Sequence, residues 1–204
     1  MATRKYEQRL RAVSAEQTRR DVLTALEHRL TETRGAAIGL EDVARRAGVS
    51  RSTVYLVFGS RAGLFDALAR DLWERSGLAR LTEAVAHPDA REHLRGGLRA
   101  GTEIFAAMRD VAAVLFAMSA LDPDAVGGAI VRMEDHRWGG MLHLARRLAE
   151  QGELRDDVTE AEAADTLWVL AGFESFDALY TGRGLSTDEV ARRLVATAER
   201  SLCT

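Results

Sequence analysis

The stretch Leu40–Phe65, LEDVARRAGVSRSTVYLVFGSRAGLF, decides the fold of this chain. Val43, Ala44 and Ala47 recur at helical spacing, so the first eight residues predict a short helix with one apolar face. Gly48 follows where a left-handed residue commonly ends a helix, because glycine reaches positive φ without a Cβ penalty. The stretch therefore begins with a helix and a tight turn.

A second short helix is predicted directly after the turn. Val49 supplies an apolar residue within the turn, and Ser50 can cap the new helix by accepting a bond from an amide near Thr53. Val54 and Phe58 lie four residues apart and so predict an inward face. The outer face of this helix is left polar and short.

A third helix begins after Gly59, with Ser60 as its cap. Its predicted inward stripe is Leu64, Phe65, Leu68 and Leu72. A helix, a turn containing glycine and a second helix with a polar outer face form a helix-turn-helix, whose second helix fits the major groove of DNA. The stretch therefore predicts a DNA-binding unit.

Several polar residues of this unit are candidate DNA contacts. Arg51 is long enough to reach a base edge or a phosphate, and Tyr55 can offer its hydroxyl to a phosphate. Arg61 lies near a helix N-terminus and adds a cation to amides already directed at an anion. The predicted DNA-binding residues are Arg45, Ser50, Arg51, Ser52, Thr53, Tyr55 and Arg61.

The sequence DVARRAGVSRSTVYLVFGSRAGLF resembles the signature of the tetracycline-repressor-like (TetR) regulators. Three positions depart from it, since members commonly have Thr or Ser at Gly39, Gly at Ser52 and Lys at Arg61. The resemblance implies an all-α fold of about nine helices. It also implies an N-terminal three-helix helix-turn-helix DNA-binding domain and a C-terminal helical domain for ligand binding and dimerisation.

Charge is unevenly distributed along the chain. The whole sequence of 204 residues carries a net charge of -3, yet residues 1–62 hold 12 Lys+Arg against 7 Asp+Glu. Such asymmetry is expected when one domain meets phosphates and the other does not. We therefore predict a DNA-binding domain at 1–62 and an effector-binding and dimerisation domain at 63–204.

The first 13 residues form a basic segment that contains Arg4, Lys5, Arg9 and Arg11. They predict either a solvated tail or early helical turn, or an arm that places Arg in the minor groove. Ser14 and Gln17 have the spacing of a capping box, which predicts a helix from near Ala15 to about Arg34.

Apolar spacing and capping residues predict the remaining helices. They run from Arg61 to about Val85, from Asp89 to about Met108, from Val111 to Leu121, from Asp122 to Gln151, and onward from Thr159 and from Ser186. The last two are the eighth and ninth predicted helices. No alternating strand pattern is present in the sequence.

Aromatic and sulfur-containing residues are frequent in the C-terminal part. They are typical of core packing, and as a group they can also wall a cavity for an apolar or aromatic ligand. The resemblance implies an inducer pocket among helices four to eight. The predicted ligand-binding residues are Trp73, Phe105, Met108, Phe116, Met133, Trp138, Met141, Trp168 and Phe173.

The eighth and ninth predicted helices hold more apolar positions than a one-sided amphipathic pair requires. The resemblance implies that they pair with their copies across a two-fold axis, and two-fold symmetry also suits DNA half-sites about 34 Å apart. The apolar positions are Leu167, Leu170, Phe173, Leu179, Val190, Leu194, Val195, Ala198 and Leu202.

Other classes of function find little support in the sequence. Cys203 is the single cysteine, and His136 and His143 are too far apart for joint metal ligation, so we predict no disulfide, metal or cofactor. No catalytic motif is present, so we predict no enzyme. The near-apolar run Val111–Ala120 is far shorter than the roughly 20 residues that span a bilayer, which predicts a cytoplasmic protein without membrane contact.

These observations predict a homodimeric transcriptional repressor. It would bind a near-palindromic double-stranded DNA operator and be released by a small-molecule effector. The alternative is a helical ligand-binding dimer without operator recognition.

Overall fold

The computed structural model describes residues 2–33 and 38–204, and within the first helix the side chains of Tyr6 and residues 13–32. This part of the chain is all-α, as predicted, with eleven α-helices rather than nine. They are α1 (Ala2–Thr33), α2 (Leu40–Arg46), α3 (Arg51–Phe58), α4 (Arg61–Ser76), α5 (Leu78–Val85), α6 (Ala90–Ala107), α7 (Arg109–Leu121), α8 (Gly128–Glu150), α9 (Glu160–Leu170), α10 (Phe173–Arg183) and α11 (Thr187–Leu202). A π-helical turn, Pro123–Gly127, precedes α8.

The chain packs into two compact units. The first comprises Met1–Asp71 and Ala113–Ile130, and the second comprises Leu72–Ala112 and Val131–Thr204. The helix-turn-helix helices α2 and α3 both belong to the first unit. The division of function after Ala62 stays a prediction.

In the first unit, α2 packs against both α1 and α3. Leu26 and Leu30 are fully buried on one face of α1, while Val54 and Phe58 are buried on α3, as their spacing predicted. The guanidinium of Arg19 lies 5.2 Å from the ring centroid of Phe58. The inner face of α3 is thereby fixed, and its other face is left open.

The first helix begins much earlier than its capping-box pattern suggested. α1 is continuous from Ala2, so the predicted start near Ala15 is wrong. Strong helix formers precede Ser14, so the helix begins before this residue and Ser14 is not needed as an N-cap. The side chains of Arg4, Lys5, Arg9 and Arg11 lie outside the described residues.

Two glycines divide helices that were predicted as continuous. Gly77 has φ 124, which a helix cannot accommodate, so the predicted helix from Arg61 to Val85 is wrong and consists of α4 and α5. Gly172 has extended backbone and separates α9 from α10 within the eighth predicted helix. These breaks account for the larger number of helices.

Local caps start three helices where the sequence predicted them. The carboxylate of Asp89 accepts bonds from the amides of Arg91 and Glu92 and so begins α6. Thr159 forms a full capping box at α9, and Ser186 caps α11. Asp122 makes no such cap, because the residues after it form the π-helical turn instead.

The second unit has its own apolar core, to which α6, α8, α9 and α11 contribute. Seven of the nine apolar positions predicted for dimerisation are buried within the single chain: Leu167, Phe173, Val190, Leu194, Val195, Ala198 and Leu202. Their apolar character therefore serves the core of the chain itself and is no evidence for dimerisation, which stays a prediction for these helices. Trp168 and Val169 of α9 are the large apolar residues left exposed on that helix.

His93 on α6 is a buried polar group held by Arg147 of α8. It is 3% exposed, and an N–H of Arg147 donates to its Nδ1 at 3.1 Å. Arg147 also donates to the carbonyl oxygens of His87 and Pro88, each at 2.6 Å. Burial, together with the neighbouring Arg147 cation, lowers the pKa of His93 to about 4.

We expect this histidine to make folding stability depend on mild acid. Below about pH 6.5 the imidazole of His93 is protonated in the unfolded chain but stays neutral in the folded chain. The free energy of unfolding is therefore highest at neutral pH and falls as the pH falls toward 4. Between about pH 7 and pH 5 the free energy of unfolding should fall by about 2 kcal/mol. Urea denaturation at both pH values measures this, and His93→Gln, which still accepts from Arg147, should remove most of the dependence. An unchanged dependence in that variant would contradict the assignment.

Within the described part of the chain, no single helix is long and apolar enough to cross a membrane. Only α6 and α7 taken together meet the length and composition required, and they are bent by 87°.

Candidate nucleic-acid interface

The turn between α2 and α3 is built on one left-handed glycine. Gly48 has φ 68, and its amide donates to the carbonyl of Arg45 at 3.2 Å. The amide of Val49 donates to the carbonyl of Ala44 at 3.0 Å, which closes the end of α2. A residue with a side chain would be strained at this φ, which explains why the position is occupied by glycine.

Hydroxyl groups gather at the N-terminus of α3. Ser50 Oγ accepts from the amide of Thr53 at 3.1 Å, which confirms the predicted cap. The same oxygen lies 2.7 Å from Ser52 Oγ and 2.8 Å from Thr53 Oγ1. Ser50 therefore has a structural role as the cap, while Ser52 is exposed on the outer side of the helix.

Arg51 and Tyr55 form a pair on the exposed side of α3. An N–H of Arg51 lies 3.4 Å from the Tyr55 hydroxyl, and the guanidinium lies 5.5 Å from the ring centroid. This bond to Tyr55 raises the pKa of Arg51. One turn of helix thus presents a cation and a phenol side by side, and both are accessible to a partner.

Arg45 belongs to a group of ion pairs on α1 and α2. It is bonded to Asp42, which also pairs with Arg29, and Arg46 pairs with Glu32 at 2.8 Å. The bond from Arg45 lowers the pKa of Asp42, and the bond from Arg46 lowers that of Glu32. These ion pairs tie α2 to α1, while the Arg45 side chain itself stays largely exposed.

Arg61 is engaged in an ion pair that the sequence did not predict. Its Nη1 lies 2.6 Å from Asp122 Oδ2, and its guanidinium stacks 5.6 Å from the Phe65 ring centroid. The partners are 61 residues apart in the chain. Local spacing gives no signal for such a pair, and Asp122 followed by Pro123 instead predicts a helix cap.

Three of the predicted ligand-binding residues form an aromatic cluster in the second unit. The Phe105 ring centroid lies 6.1 Å from that of Trp73 and 5.4 Å from that of Phe173, both edge-on. Phe176, which was not among the nine, is also 5.8 Å from Phe105. Both Phe105 and Phe173 are buried, so these rings pack on one another as a core does.

The other six ligand candidates are dispersed. Trp138 and Trp168 meet edge-on at 6.3 Å, and Arg137 stacks 4.9 Å from the Trp168 ring centroid. Met141 packs with Trp138 against the second unit's core. Met108 is buried, Met133 is half-buried on α8, and Phe116 lies on α7 in the first unit.

Two surface grooves occur in the second unit, and both are lined by charged side chains. One, of about 280 Å³, runs between α5 and α6 and includes Arg80 and Glu103, which pair at 2.8 Å. The other, of about 540 Å³, lies on α10 and α11 and includes Arg192 and Arg193. None of the nine predicted ligand-binding residues lines either groove.

Comparison with known proteins agrees with the helix-turn-helix geometry. Residues 28–68 match the family model described as bacterial regulatory proteins, tetR family. A segment of 57 residues is 47% identical to the HTH-type transcriptional regulator AlkX of Mycobacterium tuberculosis. The helix-turn-helix segment is therefore similar to that of TetR-family regulators. The AlkX match covers 28% of this chain and 27% of that relative.

Solved structures of two efflux-pump repressors share the fold over almost the whole chain. NalD, the secondary repressor of the MexAB-OprM multidrug efflux pump in Pseudomonas aeruginosa, aligns with TM-score 0.71 and 24% identity, over 93% of this chain and 98% of its own. SmeT, the repressor of the Stenotrophomonas maltophilia efflux pump SmeDEF, aligns with TM-score 0.69 and 15% identity, over 92% and 93%. At these identities the likeness establishes the fold of this chain and nothing further.

Proposed function

We propose that this chain is a DNA-binding transcriptional repressor of the TetR family, which recognises a near-palindromic operator as a homodimer and is released by a small-molecule effector. Its proposed place of action is the cytoplasm, where operator DNA is accessible. The alternative predicted from sequence, a ligand-binding dimer without operator recognition, is an outcome of the experiment below.

The observation that carries the proposal is the exposed face of α3. Ser50 caps the helix, and Val54 and Phe58 anchor its inner side, so Arg51 and Tyr55 are displayed on a rigid element. Arginine and tyrosine are suited to base edges and phosphates, and the net positive charge of residues 1–62 favours a polyanion. Direct DNA contacts by the seven predicted residues remain part of the proposal.

Dimerisation is proposed through the eighth and ninth predicted helices, which correspond to α9, α10 and α11. The apolar side chains of Trp168 and Val169 are exposed on α9 and support this surface. Two recognition helices are needed because operator half-sites lie about 34 Å apart, one turn of duplex.

Effector release is proposed to act through the spacing of the two recognition helices. A ligand shifts that spacing only to the extent that it binds one arrangement of the dimer more tightly than the other. A coupling of about 1–3 kcal/mol would change operator affinity by about 5- to 150-fold. SmeT, a neighbour in fold, has been solved as a complex with triclosan. This supports the proposal that the nine predicted ligand-binding residues bind an apolar or aromatic effector.

Selection from random duplex DNA with the full chain tests the proposal. A regulator should enrich one near-palindromic sequence with two half-sites about one helical turn apart. Sizing of the complex on the selected duplex should find one or two dimers. No enrichment, with an intact dimer, would favour the ligand-binding alternative.

The Arg61–Asp122 ion pair leads to a further prediction. Asp122 competes with phosphate for the Arg61 guanidinium, so Asp122→Asn should strengthen operator binding. The pair is partly exposed and worth about 0.5–1 kcal/mol, and a dimer contains it twice, so we expect about a 5- to 30-fold tighter complex. Fluorescence anisotropy on the selected duplex measures the dissociation constant.

The control for this substitution is Asp156→Asn. It removes the same charge from an exposed position of the second unit and should change affinity by less than about twofold. If Asp122→Asn weakened binding instead, Asp122 would orient Arg61 for DNA rather than compete with it.

A further inference from the structure

Leu56 is the most exposed large apolar side chain among the described residues, with 87% of its surface accessible. It lies in the second half of α3, directly after the exposed Tyr55 and two residues before the inward-facing Phe58. Val54 and Phe58 already fill the inner side of this helix, so Leu56 adds nothing to the core of the first unit. Its position makes it part of the helix surface that the proposed function turns toward DNA.

The outer face of α3 is divided into a polar and an apolar side. At 3.6 residues per turn, Leu56 lies about 40° around the helix from Ser52, and about 100° from Tyr55. The Arg51–Tyr55 pair therefore occupies one side of Ser52, and Leu56 occupies the other. A protein partner would favour a wider apolar patch, whereas the neighbours of Leu56 on this face are the hydroxyl of Ser52 and the phenol of Tyr55.

We infer that Leu56 contacts the 5-methyl group of a thymine in the operator major groove. The inference rests on the proposed function and deepens it by naming a base that the helix recognises. Thymine is the one DNA base that carries a methyl group in the major groove, and apolar side chains recognise it there. Leu56 is thereby a specificity-determining residue, which the seven predicted contacts, all polar, did not include.

The test removes the methyl group and leaves base pairing intact. In the selected operator, each thymine is replaced in turn by deoxyuridine, at symmetric positions of both half-sites. At one such position, replacement in a single half-site should weaken binding of the full-length wild-type protein about fourfold, the effect of losing one buried methyl group, and replacement in both half-sites about 16-fold. Cytosine and 5-methylcytosine at that position add a second comparison, in which the methylated base should bind more tightly.

Two variants show whether Leu56 is responsible. Leu56→Ala should lose the sensitivity to deoxyuridine at that position, to less than about twofold, while Leu56→Met retains an apolar contact and should keep most of it. Leu56 is exposed and alanine favours helix, so the alanine variant should fold, which circular dichroism checks. Thymines elsewhere in the operator serve as internal controls.

The outcomes separate this inference from the proposed function. If no duplex is enriched, the proposed function fails and this inference falls with it. If an operator is found but no thymine is sensitive to loss of its methyl group, or Leu56→Ala keeps the wild-type pattern, the thymine contact alone is overturned.

Discussion

Replacing both Arg51 and Tyr55 by alanine is expected to weaken operator binding by about 100-fold or more while leaving dimer and fold intact. Each lost contact to a base or phosphate costs about 1–3 kcal/mol, and a dimer loses each one twice. Both side chains are exposed, and alanine is the strongest helix former, so α3 itself should persist.

Fluorescence anisotropy on the selected duplex gives the affinity, and thermal unfolding with size-exclusion chromatography gives fold and assembly. Arg155→Ala is the matched control, because it removes an exposed arginine from the second unit. It should alter affinity by less than about threefold. Unchanged DNA affinity in the double variant would contradict the role of α3.

Phe105→Ala is expected to lower the free energy of unfolding by about 3–5 kcal/mol. Phe105 is 3% exposed, and its ring contacts those of Trp73, Phe173 and Phe176, so truncation leaves a cavity in the aromatic cluster. Denaturant titration measures the loss. This value decides whether the cluster is structural core or the wall of a ligand site.

Leu78→Ala is the comparison for that experiment. Leu78 on α5 is 38% exposed, so its truncation should cost much less than that of Phe105. If Phe105→Ala kept the stability of the wild type, the cluster would be better described as a loosely packed ligand site. The predicted role of Phe105 in effector binding would then gain support.

The parts of the fold that depend on local chemistry could be predicted from sequence. Ser50, Asp89, Thr159 and Ser186 cap helices because a side-chain oxygen reaches an amide two or three residues on, and that spacing is visible in the sequence. The left-handed turn at Gly48 is equally local. The helix-turn-helix was therefore placed within a residue or two of its observed bounds.

Features set by packing were missed. Gly77 and Gly172 end helices whose apolar spacing continues beyond them, and spacing alone does not distinguish a tolerated glycine from a break. The apolar residues of α9 and α11 were assigned to dimerisation, although the core of the second unit buries most of them. An excess of apolar positions does not reveal which surface covers them.

In the candidate DNA-binding site too, local features could be predicted from the sequence and long-range contacts could not. The exposed face of α3 follows from helical periodicity, so Arg51, Ser52 and Tyr55 were accessible to sequence reasoning. The pairing of Arg61 with Asp122 joins chain segments 61 residues apart, so it could not be predicted from the sequence. The predicted contacts are all polar and so omit Leu56, although the outward position of an apolar residue is itself a signal.

The most direct test of the central claim is the affinity of the full-length protein for its selected duplex and for a scrambled duplex, each at about 50 and about 200 mM salt. The account predicts a marked preference for the selected duplex at both concentrations. It also predicts that affinity falls roughly a thousandfold across this range if about six phosphates are neutralised. Equal, weak binding to both duplexes with the dimer intact would contradict the claim that α3 recognises an operator.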